Sequence, residues 1–335
     1  MIRIALDAMG GDHAPRVEVE GAAQALQDLA PEFRVQLVGR TADVEAALRQ
    51  FPGADRSRLD IVDAPEVVGM GEKPLAAIRG KPRSSIAVGL SLQKKGHSDA
   101  FISAGNTGAV MAASTLLLRL HAGVQRAAIG ALFPTASQPV LVLDGGANVD
   151  CDARELVGFA HLGSVYARDV LGRSSPAVGL LNIGEEDEKG NAVVKEAHQL
   201  LKQTPGIRYV GNVEGRDIPT GEYRGQPLDV VACDGFVGNV VLKFYESAAR
   251  VFAALMKREA PAALQLPQMT SVLEVLDYAT YGGAPLLGVQ GVVIICHGSS
   301  PAKAIKNAIR VAVQAVKSHL SDDIAAEFAQ GGVPA

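Results

Sequence analysis

The chain of 335 residues contains no tryptophan and only 4% aromatic residues, so the stacking platforms that hold single-stranded nucleic acid have little to be built from. A net charge of -4 removes the broad basic surface that nucleic acids require, and any anion site must come from local placement of charge. Cysteine is scarce: Cys151, Cys233 and Cys296 stand far apart with no C-x-x-C pair. That excludes a disulfide scaffold and a cysteine-based zinc cluster, and it suits a reducing cytosol. No run reaches the ~18 apolar residues that span a bilayer; the most apolar stretch, 108–118, is bounded by Asn106 and Arg119. The opening MIRIALDAMGGD meets Asp7 too early for a secretory signal. The expectation is a cytoplasmic protein, at most peripheral on the inner face of the membrane. Familiar catalytic signatures are missing too: there is no GxSxG, no HExxH, no Walker loop, no GxGxxG after the first apolar run and no metal-ligand spacing. Reactions through an activated protein nucleophile or a zinc ion are disfavoured.

What the chain does have is glycine, 36 residues, in a composition of 48% hydrophobic and 20% charged residues that fits an α/β enzyme. Short apolar runs alternate with helical patterns throughout. The runs are 2–7, 35–39, 59–63, 99–103, 139–144, 177–184, 228–233 and 291–296, mostly continuous rather than alternating, as strands buried on both faces read. Between them, 41–51 opens on Thr41 as an N-cap and places Val44, Ala47, Leu48 and Phe51 on one face. The segment 301–316 starts at Pro301 and aligns Ile305, Ala308, Ile309, Ala312, Val313 and Val316. This repetition predicts a Rossmann-like α/β fold, a mostly parallel sheet with helices on both faces. The chain reads as one domain over 1–335, with lobes at 1–130 plus 291–320 and at 131–290.

Parallel α/β sheets bind ligands at the carboxyl ends of their strands. Six runs there give way to glycine, small polar residues and isolated charges: AMGGDH (8–13), AGNTGA (104–109), GGAN (145–148), EEDEKG (185–190), DGFVGN (234–239) and HGSSP (297–301). Six such loops on one edge suggest a site. In 103–109, Ser103, Asn106 and Thr107 add uncharged donors beside a helix start that attracts anions, although Asn106 or Thr107 also suits a plain helix cap. The basic segment with Lys73, Arg79, Lys81 and Arg83 runs into Ser84-Ser85 at another helix start, either a solvated face or an oxyanion receiver. His297 precedes Ser299 and Ser300, one of which is expected to cap the helix behind Pro301; the histidine is placed to meet an acyl oxygen or a leaving thiolate. Asp144, Glu185, Lys189, Asp234, Asn239 and Lys243 complete the polar set, each equally fit for an ordinary salt bridge.

The motifs in order are DAMGGDHAP (7–15), KPRSSIAVGL (81–90), SAGNTGA (103–109), DGGAN (144–148), NIGEEDEKG (182–190), NVEG (212–215), CDGFVGNVVLK (233–243), PLLG (285–288) and HGSSPAKAI (297–305). Nearly the whole chain thereby resembles the acyl-acyl-carrier-protein–phosphate acyltransferases of bacterial phospholipid synthesis. The C-terminal part is also similar to phosphate acetyltransferases, in DGFVGN, GAPLLG and HGSS, and the dehydrogenase-like architecture related to them is the implied fold. The resemblance implies transfer of a fatty acyl group from acyl carrier protein to inorganic phosphate without metal or organic cofactor. It also implies a homodimer and delivery of acyl phosphate to a membrane-bound glycerol-3-phosphate acyltransferase. By it, catalytic roles fall on His297, Lys81, Asp234 and Asn239, and substrate contacts on Ser84, Ser85, Ser103, Asn106, Thr107, Asn148, Lys189 and Ser299. Lys81, Asn106 and Thr107 are expected to hold phosphate, and His297 and Ser299 to meet the thioester.

A helical hairpin is expected near 240–281, with Val241, Phe244, Ala248, Phe252 and Leu255 along one face and a second helix over 271–281. Such a stripe suits core or dimer packing. The apolar tip around Leu264, Leu266 and Met269, with Lys257 and Arg258 nearby, also suits contact with a bilayer or an acyl chain. Three other readings stay open: a coenzyme A-dependent acyltransferase, a decarboxylating dehydrogenase on a related scaffold, and a non-catalytic adaptor of lipid synthesis at the membrane.

Overall fold

A computed structural model of the chain describes residues 1–330. In chain order the strands are β1 (Ile2–Asp7), β2 (Phe33–Gly39), β3 (Leu59–Asp63), β4 (Ala100–Ser103), β5 (Ala128–Ile129), β6 (Ala131–Phe133), β7 (Val140–Leu143), β8 (Ala177–Leu181), β9 (Arg208–Val213), β10 (Glu222–Tyr223), β11 (Gln226–Pro227), β12 (Val230–Ala232), β13 (Ala284–Leu287) and β14 (Val292–Ile295). The chain divides into two compact units, one of Met1–Ala122 with Tyr281–Ala326, the other of Gly123–Thr280 with residues 327–330.

The first unit orders its strands β3-β2-β1-β4-β14-β13. β1, β2, β3, β4 and β14 are parallel, and β13 runs antiparallel to β14. β1 and β4 are almost wholly buried, which is why their sequences run apolar without alternation. The helix Ala302–Lys317 closes this unit, burying Ala302, Ala304, Ile305, Ala308, Ile309, Val311, Ala312 and Ala315; Val313 and Val316 are only half-buried. It lies against the helix Arg16–Asp28, where Gly21 permits the approach: a Cβ there would fall 2.5 Å from Ile305 Cβ.

The second unit has the order β6-β7-β12-β8-β9, parallel except for β6, which runs antiparallel to β7; β10 and β11 form a separate hairpin. Its core gathers Phe133, Val140, Val142, Val213, Ile218, Leu228 and Val231, each side chain of this kind contributing about 1.5–3 kcal/mol on burial. The helix Ala153–Asp169 is fixed by a capping box between Asp152 and Glu155.

Three local expectations change. Thr41 is the first residue of its helix rather than the cap; Arg40 holds the cap position, and the Thr41 hydroxyl instead donates to Asp63 at 3.0 Å. Neither Ser299 nor Ser300 caps the helix Ala302–Lys317, because extended Pro301 occupies the cap position and makes no side-chain cap bond. The six polar loops do not share one edge. Those after β1, β4 and β14 belong to the first sheet, and those after β7, β8 and β12 to the second.

Candidate active site

In the first unit two strand-end loops meet at Asp7 and a third joins them at Asp12. Its carboxyl is buried, accepts the Ser103 hydroxyl at 2.7 Å and the Met9 N–H at 3.0 Å, and also bonds Ser85. Burial pushes this carboxyl up, against hydrogen bonds that favour the charged form. Ser103 accepts in turn from the Gly105 N–H at 3.0 Å. Gly10 and Gly105 let the loops touch: a Cβ on Gly10 would lie 2.6 Å from both the Asp7 Oδ2 and the Gly105 nitrogen. The third loop joins through the Asp12 N–H, which donates to the Gly298 carbonyl at 2.8 Å. Glycine loops, amides and hydroxyls thus gather at the carboxyl ends of β1, β4 and β14, where an α/β sheet binds ligands.

The residues expected to act here divide by exposure. Thr107, His297 and Ser299 are exposed. Asn106 is committed at both ends: its Oδ1 caps the helix Thr107–Leu117 by accepting the Ala109 N–H at 3.0 Å. Its Nδ2 donates to the carbonyls of Gly69, Met70 and Glu72 at 3.3, 2.9 and 3.2 Å. Lys81 is committed as well, donating to the Val67 carbonyl at 2.8 Å and pairing with Glu72 at 2.6 Å. The bond to Lys81 holds the Glu72 carboxyl below its ordinary value. Ser84, fully buried, caps the helix Ser85–Lys94. Asn106 and Lys81 therefore both hold the 67–72 segment, Asn106 with its whole amide and Lys81 with two of its three ammonium donors. Asp7 and Glu72 were not among the residues expected to act. The signal for Asp7 was present, since two runs end in Leu-Asp with a glycine pair close behind, at 6–7 and 143–144.

In the second unit Asp144 plays the corresponding part at the end of β7. Its fully buried carboxylate accepts N–H groups of Ile129, Gly146 and Ala147 at 3.0, 3.1 and 3.0 Å, and of Asn148 at 2.6 Å from the backbone and 2.9 Å from the side chain. Burial pushes this carboxyl up while the four amides oppose the shift. Asn148 spends its remaining donor on the Ala127 carbonyl at 2.8 Å. Asp234 caps the helix Gly235–Glu259 by accepting the Val237 N–H at 2.9 Å. Asn239 stands exposed beside Gly146, where a Cβ would lie 3.3 Å from its own Cβ. Lys189 is exposed in a loop where Glu185 pairs with Arg216 and Arg224 at 3.4 and 3.0 Å, and Asp187 with His198 at 3.0 Å and with Lys202. Among the described residues no group of three or more His, Cys, Asp or Glu side chains is placed to hold a metal ion.

The helix Gly235–Glu259 buries only Gly235 and Gly238. Val241, Leu242 and Tyr245 pack against the second unit's core, whereas Phe244, Val251, Phe252 and Leu255 are exposed. The expected stripe thus splits, with Val241 facing the core. The following helix spans Pro267–Leu276, with proline at its start. At the tip Leu266 is exposed and Leu264 and Met269 are half-buried. No described helix is long and apolar enough to cross a membrane.

Comparison with known proteins places this arrangement. The model of the family described as "Fatty acid synthesis protein" matches residues 2–322. A phosphate acyltransferase of Heliobacterium modesticaldum is 49% identical over 326 residues, covering 95% of each chain. One of Trichormus variabilis is 46% identical over 338 residues, covering 98% of this chain and 96% of the other. Among solved structures, a phosphotransacetylase from Streptococcus pyogenes superposes with a TM-score of 0.64 at 17% identity, covering 94% of each chain. A branched-chain phosphotransacylase from Enterococcus faecalis gives 0.60 at 14%, covering 94% of this chain and 99% of that one; at such identities the likeness concerns the fold. Matched along almost its entire length, this chain belongs to the fatty acid synthesis protein family and is an acyltransferase, similar throughout to phosphate acyltransferases.

Proposed function

We propose that the enzyme transfers a fatty acyl group from acyl carrier protein to inorganic phosphate, yielding acyl phosphate and free carrier thiol for phosphatidic acid synthesis. The observation that carries this reading is the meeting of three strand-end loops at Asp7 and Asp12, with Thr107, His297 and Ser299 exposed on them. A phosphate oxygen attacks the thioester carbonyl, the new C–O bond forms, and the C–S bond breaks with its electron pair leaving on sulfur. Phosphate is already a nucleophile, and a thiol of pKa near ~8.5 leaves with little acid help. What the protein must supply is positioning and donors for the tetrahedral oxyanion, where one donor is typically worth about 3–4 kcal/mol.

The bonds made by Lys81 and Asn106 support a different division of the expected roles. With Lys81 engaged by Glu72 and Asn106 by the 69–72 carbonyls, phosphate falls to Thr107 and the amides of the 104–108 and 8–12 loops. Lys81 and Asn106 position those loops. His297 and Ser299 meet the thioester oxygen or sulfur. The enzyme works as a homodimer and presents its hairpin, with Leu264, Leu266 and Met269 at the tip, to the membrane where a glycerol-3-phosphate acyltransferase consumes the product.

Purified protein with palmitoyl acyl carrier protein tests this, with and without orthophosphate, acyl phosphate being trapped by hydroxylamine. Phosphate-dependent hydroxamate formation with release of carrier thiol is the expected result, and no turnover with this donor or with palmitoyl-coenzyme A overturns it. The coenzyme A arm also tests the second reading, favoured by the fold shared with phosphotransacetylases. His297→Ala and Ser299→Ala are expected to lower turnover at least ~10-fold. Near-normal rates in both would remove the thioester role from this loop.

A further inference from the structure

Beneath the 8–12 loop lies a carboxyl that the proposed reaction does not use. Glu18 is the third residue of the helix Arg16–Asp28, and it is 2% exposed. Its Oε2 is buried without a hydrogen-bond partner. Its Oε1 sits under Gly11, 2.5 Å from where a Cβ on that glycine would stand. Gly11 has φ 103°, a conformation that glycine alone adopts without strain, so the loop crosses the carboxyl with no side chain between them. One residue further on, the Asp12 N–H makes the 2.8 Å bond to Gly298 that joins the His297 loop to the others.

The two charges that act on Glu18 are both acidic. Asp7 lies on β1 and Asp12 on the loop, both acting on Glu18 through their charge. The Cys296 thiol follows β14 and is pushed up to about 12, by burial first and by the Glu18 charge second. The neighbouring helix Ala302–Lys317 carries Lys303 and Lys306 in its first turns, and Lys306 is tied to Asp28 at 2.8 Å. A buried carboxylate with an orphan oxygen is costly, and the neutral acid is the form such a site tolerates.

We propose that Glu18 is a positioning residue: while neutral, its carboxyl props the 8–12 loop in the register that docks Asp12 on Gly298, and its ionisation unseats that loop. The inference rests on the reading that these loops hold the substrates. Burial, with Asp7 and Asp12 adding to it, pushes the Glu18 carboxyl up to about 8, so the change falls within reach of ordinary assay conditions. The ionised form places a negative charge beside the Asp7 and Asp12 carboxyls, under the amides that would receive phosphate.

The test compares wild type with Glu18→Gln, which preserves the neutral shape, and with Glu18→Leu, which keeps only bulk. Two quantities are read between about pH 6.5 and about pH 9.5. The first is hydrogen exchange of the peptide spanning residues 8–13, taken as the ratio of wild type to variant at each pH. The second is kcat and the KM for orthophosphate with palmitoyl acyl carrier protein. The expected result is an exchange ratio near one below the midpoint and rising above it. With it comes a phosphate KM that climbs in wild type alone, about tenfold at one pH unit past the midpoint. A ratio flat across the range overturns the proposal, as does a folded Glu18→Gln enzyme inactive at every pH. If the glutamine variant does not fold, the leucine variant supplies the same ratio. Absence of turnover in wild type at every pH would count against the proposed reaction instead, and the exchange ratio would still decide the role of Glu18.

Discussion

Each unit has a buried strand that runs into Leu-Asp, with a glycine pair directly after Asp144 and, past Ala8 and Met9, after Asp7, and the two aspartates are treated differently. Asp144 is closed off: five N–H donors fill its two oxygens, and Gly235 and Gly238 bring a helix directly onto it. Asp7 is held by hydroxyls of Ser103 and Ser85 as well as by the Met9 and Gly10 amides, with the Glu18 carboxyl, one oxygen of it unpartnered, beneath the same loop. A hydroxyl turns to donate or accept, whereas an N–H only donates. The second loop is built to one geometry and one charge state. The first tolerates adjustment, which a site that admits a substrate and releases a product needs.

The largest test of that contrast is steric. A Cβ at position 238 would stand 1.9 Å from the Asp144 carbonyl oxygen, with no flexible side chain to give way. Gly238→Ala is expected to cost on the order of 4 kcal/mol or more, or to prevent folding. Gly10→Ala meets the Asp7 carboxylate and the Gly105 nitrogen at 2.6 Å. In an adjustable loop it should cost about 1–3 kcal/mol and fall mainly on turnover. Equal losses in Tm for the two variants would break the comparison. Next in size come the carboxyls themselves. Asp144→Asn turns an amide group toward N–H donors that have no other acceptor and should cost about 3–5 kcal/mol. Asp7→Asn lets Ser103 and Ser85 reorient and should cost about 1–3 kcal/mol. Urea unfolding of both variants gives the difference.

The pH dependence of stability sharpens the same point. Glu18 is raised in the folded state to about 8, so it stabilises the fold fully below its unfolded value of ~4.3 and loses that contribution as the pH rises to the folded one. Wild type should therefore lose Tm relative to Glu18→Gln between about pH 4.5 and about pH 8, with a constant difference above that. A parallel pair of Tm curves would mean that the carboxyl is not held neutral.

The apolar runs made the strands legible, because β1, β4, β7 and β12 are buried on both faces and leave no alternation to misread. The grouping of the six polar loops was not legible: they were expected on one edge, but which strand pairs with which, as β14 does with β4, is not written in a local pattern, and the loops fall three to each sheet. Site chemistry followed the same limit. Ser103, Asn106, Asn148 and Asp234 stood out as polar residues in glycine loops, but whether their donors face a ligand or the backbone depends on partners far along the chain. For Asn106 those partners are the carbonyls of 69–72; for Lys81, Val67 and Glu72. Glu18 was invisible for a simpler reason: an acidic residue in a helix's first turn ordinarily faces water and the helix dipole, whereas this one is buried with the Gly11 loop crossing it.

The smallest expected effect lies on the hairpin, where two adjacent aromatic residues separate what the fold needs from what it offers outward. Tyr245 packs on Phe133 with ring centroids 5.5 Å apart and donates its hydroxyl to the Pro134 carbonyl at 2.8 Å. Phe244, one residue earlier, is 74% exposed. Removing the hydroxyl in Tyr245→Phe leaves a carbonyl without its donor and should cost about 1 kcal/mol. Phe244→Ser removes a larger apolar surface yet should shift stability by no more than ~0.5 kcal/mol, because that surface is already in water. If the hairpin meets a membrane or a second copy, Phe244→Ser and Leu266→Asp should instead lower liposome co-sedimentation or dissociate the dimer at unchanged Tm. A Phe244→Ser variant as destabilised as one cut into the core would show that this face is covered within the folded chain, and it would remove the ground for any partner there.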